Sequence, residues 1–304
     1  MPQEWLIASE TQKKNMTFRA LIPLLAAPLL LFSYPAIAQP DDDASDVIIV
    51  DGQRSVTVRE LRDQATAITP LAGWRGQPLA RFHSELCVGV WGLSVDSARL
   101  VIDRIYYNAG LIGLPVSEDE GCAANIIVAL TEDAEAEFAA MRAESHPLLR
   151  GLDLWERKRV ERRDDGPVVV WNAVSKVSND DTLPLGDPPV VANTMMGRTM
   201  TSTYNEIGIS VIMIDRDAVH GVDGVALADY VTMRALARTR QPVGEVSVGT
   251  ILSLFDPDTY GPQRLSAFDM AYLGGLYDSP ANLQLRRAMG RIGTRLRREL
   301  ARED

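Results

Sequence analysis

Four residues just past an apolar run carry side chains that can move protons. The run reads IGISVIMI over Ile207 to Ile214, and Asp215, Asp217, His220 and Asp223 follow it directly. Carboxylates beside an imidazole can serve as general base and general acid in a hydrolysis, provided that at least two converge on one pocket. The end of a buried strand is also where sites form in α/β sheets. Acids and a histidine in a turn are equally ordinary on a protein surface, so the four are candidates by position alone. The other histidines add nothing to them: His83 lies on a predicted strand and His146 precedes Pro147 at a helix end.

Other chemistries lack their motifs. Gly208-Ile209-Ser210 lies inside the apolar run and has no second glycine, so it is not a nucleophile elbow. Neither G-x-G-x-x-G nor G-x-x-x-x-G-K occurs, and Leu273-Gly274-Gly275-Leu276 reads as a close-packed helix position. No cofactor or metal is implied. The two cysteines, Cys87 and Cys122, have neither the C-x-x-C spacing of a redox pair nor a histidine partner beyond His83. An even count in an oxidising compartment reads as one disulfide.

That compartment is indicated near the start of the chain. From Met16 the sequence reads MTFRALIPLLAAPLLLFSYPAIAQP, with Arg19 ahead of an apolar run over Ala20 to Phe32 and Ala36-Ile37-Ala38 before Gln39. This is the order of a secretory signal peptide, with small residues where the peptidase needs them. The run is too short to cross a hydrocarbon layer of about 30 Å, so cleavage before Gln39 is expected rather than anchoring. Residues 1–15 fit no signal logic and read as an over-called start. The expected location is periplasmic or secreted. Without residues 1–38 the chain has 28 basic and 39 acidic residues. That acidity argues against nucleic acid as a partner, since a binder needs surplus Lys and Arg to displace counterions from phosphate. The 46% of apolar residues can fill a sizeable core.

The elements that must position these residues follow from periodicity. Residues 39–56 read as a flexible leader, with a short strand at VIIV. Thr57 to Ile68 has Val58, Leu61, Ala65 and Ile68 at helical spacing. Ala80 to Trp91 reads as a strand, Asp96 to Tyr107 as an amphipathic helix and Asn125 to Leu130 as an apolar strand; a crossover of that length implies parallel strands. Helices are expected over Glu132 to Arg142 and Leu154 to Arg163, the second with its charges in solvent. A strand over Pro167 to Val177, a loop over Asn179 to Pro189, a strand over Val190 to Met200 and a buried strand over Ile207 to Ile214 follow. A helix runs from Val225 to about Arg238, and TILSLFD makes a compact turn. Ser266 and Asp269 resemble a capping box at the start of a helix that ends at Leu276-Tyr277. The fold class expected is α/β, with a mixed twisted sheet and packed helices over residues 57–281. A C-terminal basic amphipathic helix occupies 282–304, with Leu285, Met289, Ile292, Leu296 and Leu300 on one face and Arg291, Arg295, Arg298 and Arg302 on another. Such a helix packs on the domain, lies on an anionic membrane or docks an acidic partner.

A buried strand, a long helix, a tight turn and then a helix opening Leu265-Ser266-Ala267-Phe268-Asp269 and closing in Leu-Tyr resembles the order of elements in metzincin-type zinc metalloproteases. More closely, the segment resembles a family of proteobacterial secreted proteins and lipoproteins of unknown function that look like zincins without the zinc motif. The resemblance covers roughly residues 206–279, and 87–130 more loosely. It implies a zincin-like core. With Ala235-Leu236-Ala237 in the place of the residues after H-E-x-x-H, Tyr230 and Arg234 fall where the two histidines would stand. No His, Cys or Glu occurs anywhere from Val222 to Val243. Two ligands one helical turn apart with a carboxylate beside them are what a zinc site on this helix needs. The resemblance therefore implies an exported protein that binds or scaffolds without catalysis, holding a peptide or envelope protein in a groove floored by Tyr230 and Arg234. The competing readings are a periplasmic hydrolase built on Asp215, Asp217, His220 and Asp223, and an envelope-associated protein docking through its C-terminal helix.

Overall fold

In the computed structural model of the chain, residues 57–70, 77–119, 121–150, 152, 154–161, 166–178, 199–242, 246–258 and 261–303 are described. The expected export signal, the expected leader and most of the loop and strand expected over 179–200 lie outside them. The described elements in chain order are α1 (Val58–Ala67), β1 (Ala80–Arg81), β2 (Val88–Trp91), α2 (Val95–Leu111), β3 (Ile126–Thr131), α3 (Ala134–Ala143), α4 (Leu154–Glu161), β4 (Val168–Ser178), β5 (Thr203–Asp215), α5 (Gly224–Leu236), α6 (Ala267–Tyr277) and α7 (Leu285–Glu303). The protein is α/β.

β2, α2 and β3 form the expected unit: β2 and β3 are parallel neighbours, Val88 opposite Ile126. β3 continues parallel along β5, from Ile126 beside Ser210 to Thr131 beside Asp215, and β4 runs antiparallel along the other edge of β5. The sheet is therefore mixed. A bulge falls at Gly208, where Ala173 pairs with Ile209 and Val174 with Ile207. Cys87, just before β2, is disulfide-bonded to Cys122, just before β3. The Asn125 side chain reinforces this joint, accepting from Cys87 N at 2.9 Å and donating to Glu85 O at 2.8 Å.

The single strand expected over Ala80 to Trp91 is two strands. β1 lies beside the start of β5, Ala80 opposite Asn205 and Arg81 opposite Glu206. From Ser210 onward that edge of β5 is taken by β3. The chain must step outward around β3 before it can pair again, and it does so through residues 82–87. The helix expected to reach Arg238 ends at Leu236, with Ala237 already extended.

Strand alternation divides the core. Ile126, Val128, Val168, Val170, Ile212 and Ile214 face the larger side, with α1, α2, α5, α6 and α7. Ile127, Trp171, Val211 and Met213 face the smaller side, against Phe138 of α3. α5 is buried along almost its whole length. Its last carbonyls have no helical partners and belong to residues buried in the core, so side chains supply donors: Ser210 Oγ reaches Ala235 O at 2.8 Å and Tyr277 OH reaches Leu236 O at 2.6 Å. Ser210, the centre of the sequence Gly-Ile-Ser, is thus a structural hydroxyl.

The capping box at α6 is present: Ser266 N and Oγ both donate to Asp269 Oδ2, each at 2.9 Å, and Asp269 N donates back to Ser266 Oγ at 3.2 Å. The same carboxylate also accepts from Thr250 Oγ1 and Ile251 N, which ties the compact turn to the start of α6. Burial pushes the Asp269 carboxyl up, against these hydrogen bonds. α7 lays Ala288, Met289, Ile292 and Leu296 into the core, against α6 and α1. Gly275 makes that approach possible, since a Cβ there would fall 2.8 Å from Ile292 Cγ1. The apolar face of the C-terminal helix is therefore used inside the fold.

Candidate functional site

The four residues after β5 turn to different partners. Asp215 Oδ1 accepts from Ala134 N at 2.7 Å and so holds the start of α3. Asp223 caps α5, accepting from Val225 N at 3.0 Å, and pairs with Arg264 at 2.6 Å. The hydrogen bonds from Val225 N and Arg264 hold its carboxyl below the usual range. Asp217 and His220 lie 3.6 Å apart on an exposed short 3-10 turn, with side chains 95% and 75% exposed. A pair that open to water has no means of excluding solvent from a reaction. A cleft of about 200 Å³ lies beside Asp215, bounded by Phe138, Arg142, Arg159 and Val168, and Asp217, His220 and Asp223 do not line it. The convergence that a hydrolase site requires is not met by these four. Among the described residues, no group of three or more His, Cys, Asp or Glu side chains could hold a metal ion.

Tyr230 and Arg234 are a pair, but not the floor of an open groove. They are 1% and 0% exposed. Arg234 Nη1 donates to Tyr230 OH at 3.1 Å, and the guanidinium carbon is 5.7 Å from the tyrosine ring centroid. Phe255 closes on the ring edge-on at 4.9 Å. The spacing of four residues stacks the side chains as the helix geometry requires. They are interior because α5 is apolar on every side, through Leu227, Val231, Met233 and Leu236, and any polar residue it carries must be satisfied within the fold.

Periodicity did not single out Asp229 and Glu156 as structural hubs. Asp229, fully buried on α5, accepts from Arg104 Nε at 2.6 Å and Nη2 at 2.9 Å, from Asn108 Nδ2 at 2.8 Å and from Leu265 N at 3.0 Å. Arg104 and Asn108 sit one turn apart on α2, a spacing that in hindsight marks a common target. The charges of α4, expected in solvent, are partly interior. Glu156 is 1% exposed and bridges Arg159, at 2.8 Å, and Arg238, at 2.5 Å, while Arg159 also donates to Val170 O on β4. The correction has a simple cause: α4 lies against β4, and its inward charges are neutralised there by one another.

Burial by itself would push the Glu156 carboxyl up, but the guanidiniums of Arg159 and Arg238 outweigh it and hold it below the ordinary range. A carboxyl held low in the folded state contributes stability above its unfolded pKa, and that contribution disappears as pH falls through the folded value. The expected result is an acid limb of the stability curve, below about pH 5, that is steeper in the native protein than in Glu156→Gln. Chemical denaturation across acid pH measures it; superimposable limbs would show that Glu156 gains nothing from its partners.

What remains as a candidate docking element is the sheet edge at β4. Its 11 residues pair with β5 along their length, and among the described residues no strand pairs with the outer side. Arg159 covers the Val170 carbonyl. Beyond it lie residues 172–178, of which Asn172 is held by its side chain, Nδ2 bonding Ser210 Oγ at 2.8 Å. No family model, curated protein or solved structure matches the chain.

Proposed function

We propose that this is an exported cell-envelope protein with a zincin-like core that binds or scaffolds without catalysis, holding an extended peptide by adding it as a strand to the outer edge of β4. The observation that carries the reading is that edge: an antiparallel strand of 11 residues with one side paired to β5 and no described strand on the other. Backbone groups of an edge strand that are not taken internally form a template for another chain, giving affinity through main-chain hydrogen bonds and selectivity through alternate side chains. Lys176 and exposed Ser175 discourage indiscriminate pairing, as charged and polar edge residues do. The pair on α5 supports the non-catalytic part of the reading. An arginine has only donors and stays protonated, so Arg234 is no metal ligand where the resemblance would put a histidine. The disulfide suits an oxidising compartment.

The test is selection of peptides from a random display library against the purified protein, followed by hydrogen exchange of the complex. A selected peptide is expected to slow exchange at amides within 172–178 and to leave α5 unchanged. Protection confined to another part of the molecule, or failure to select any sequence, would dispose of the strand-addition reading.

A further inference from the structure

Several arginines of this fold meet carboxylates: Arg104 with Asp229, Arg142 with Glu161, Arg216 with Glu132, Arg264 with Asp223 and, on α7 itself, Arg295 with Asp278. Exposed arginines elsewhere that form no such pair, Arg62, Arg99, Arg150 and Arg157, are scattered over separate elements. Arg286, Arg287, Arg291, Arg297 and Arg298 are instead gathered on one helix. All five are exposed on α7, and none forms an ion pair with a described carboxylate. In a chain of net charge −10 with 41 acidic residues, five exposed cations on one helix with no ion pair to a described carboxylate are not what charge balance alone would place there.

Helix geometry sets how they are displayed. At 3.6 residues per turn the five occupy an arc of about 140° and a length of about 18 Å. Arg286 and Arg297 form the rim nearer Gly293, where α1 packs, and Arg287, Arg291 and Arg298 form the opposite rim. Gly290 and Thr294 lie between the rims. Gly293 and Gly275 are glycines that close packing needs, but a Cβ at Gly290 would meet nothing within 4 Å. A helix-interior glycine costs about 1 kcal/mol relative to alanine, and here no contact with a described residue accounts for it. Its effect is to lower the midline between the two arginine rims.

We propose that this outward face of α7 docks the protein on an anionic phospholipid bilayer, through arginine and lipid phosphate contacts and without insertion. The guanidiniums spread from a convex helix, so they cannot converge on one compact anion. They suit a flat array of phosphates, which several diverging forks can engage at once. Insertion is excluded because Ala288, Met289, Ile292 and Leu296 are already buried in the domain. The contact is therefore electrostatic and weakens with salt. It is independent of the edge of β4.

Sedimentation with vesicles tests this on the purified protein. Binding is expected to vesicles of phosphatidylglycerol and phosphatidylcholine in equal parts, not to pure phosphatidylcholine, and is lost when salt rises from about 0.1 M to about 1 M. Each Arg→Gln substitution among the five should weaken binding about fivefold, and all five together about a thousandfold or more. The corresponding fivefold Arg→Lys variant should retain most of it, with circular dichroism melting reported for both. No binding to the anionic vesicles, equal binding to neutral ones, or a five-Gln variant that binds as the native protein does would overturn the proposal. So would tighter binding to a single-stranded oligonucleotide than to vesicles at equal phosphate concentration, which would assign the face to a soluble polyanion.

Discussion

Asp229→Ala should lower the free energy of unfolding by about 3 to 5 kcal/mol, the usual cost of removing one partner from a buried ion pair. The carboxylate has no exposure and receives four hydrogen bonds, two of them from one guanidinium. Its loss leaves Arg104, Asn108 and the Leu265 amide with their donors turned into a vacated space, and unmet buried donors are costlier than the bonds they made. Asp229→Asn keeps the shape but turns an amide donor toward other donors, so it should recover little. Combining Asp229→Ala with Arg104→Met should recover part of the loss, because the uncompensated cation is gone. Urea denaturation of the four proteins measures this. A loss below about 1 kcal/mol for Asp229→Ala would mean that Arg104, 27% exposed, finds water at no cost, and the joint between α2, α5 and the start of α6 would lose its importance.

Removal of the disulfide, as Cys87→Ala with Cys122→Ala, should cost about 4 kcal/mol. The bond closes a loop whose ends are 35 residues apart, and in the chain-entropy account its main effect is to restrict the unfolded chain. The loop contains β2 and α2, so the strand-helix-strand unit is the part that loses its tether. The Asn125 bonds to Cys87 N and Glu85 O survive the substitution, so the folded geometry at the entry to β3 should persist. Denaturation of native, reduced and substituted protein separates the two contributions. A substituted protein as stable as the native one would show that the bond is a bystander to folding.

The local elements were legible because they depend on neighbours in sequence. The helical spacing over Val58, Leu61 and Ala65, the apolar strands at Asn125 and Ile207, and the reciprocal Ser266 and Asp269 box all appear where periodicity and capping chemistry put them. The disulfide was legible because only two cysteines exist. The candidate site was less so. Asp215, Asp217, His220 and Asp223 are close in sequence but face α3, solvent and Arg264, because a chain leaving a strand through a short turn rotates successive side chains away from one another.

The sequence by itself determined where the helices begin, which runs become strands, that β2 and β3 are parallel and that one covalent link joins them; each is a consequence of residues within a few turns or of cysteine arithmetic. Only the tertiary structure decided that the Ala80 to Trp91 run breaks in two, that Glu156 faces inward and that Tyr230 and Arg234 are interior. It also decided that Asp229 gathers donors from α2 and from the segment that leads into α6. Those outcomes depend on partners 82 positions away for Glu156 and Arg238 and 125 for Arg104 and Asp229. A charge on a helix looks solvated until another element covers it, and which element does so is set by how the sheet and helices close around one core.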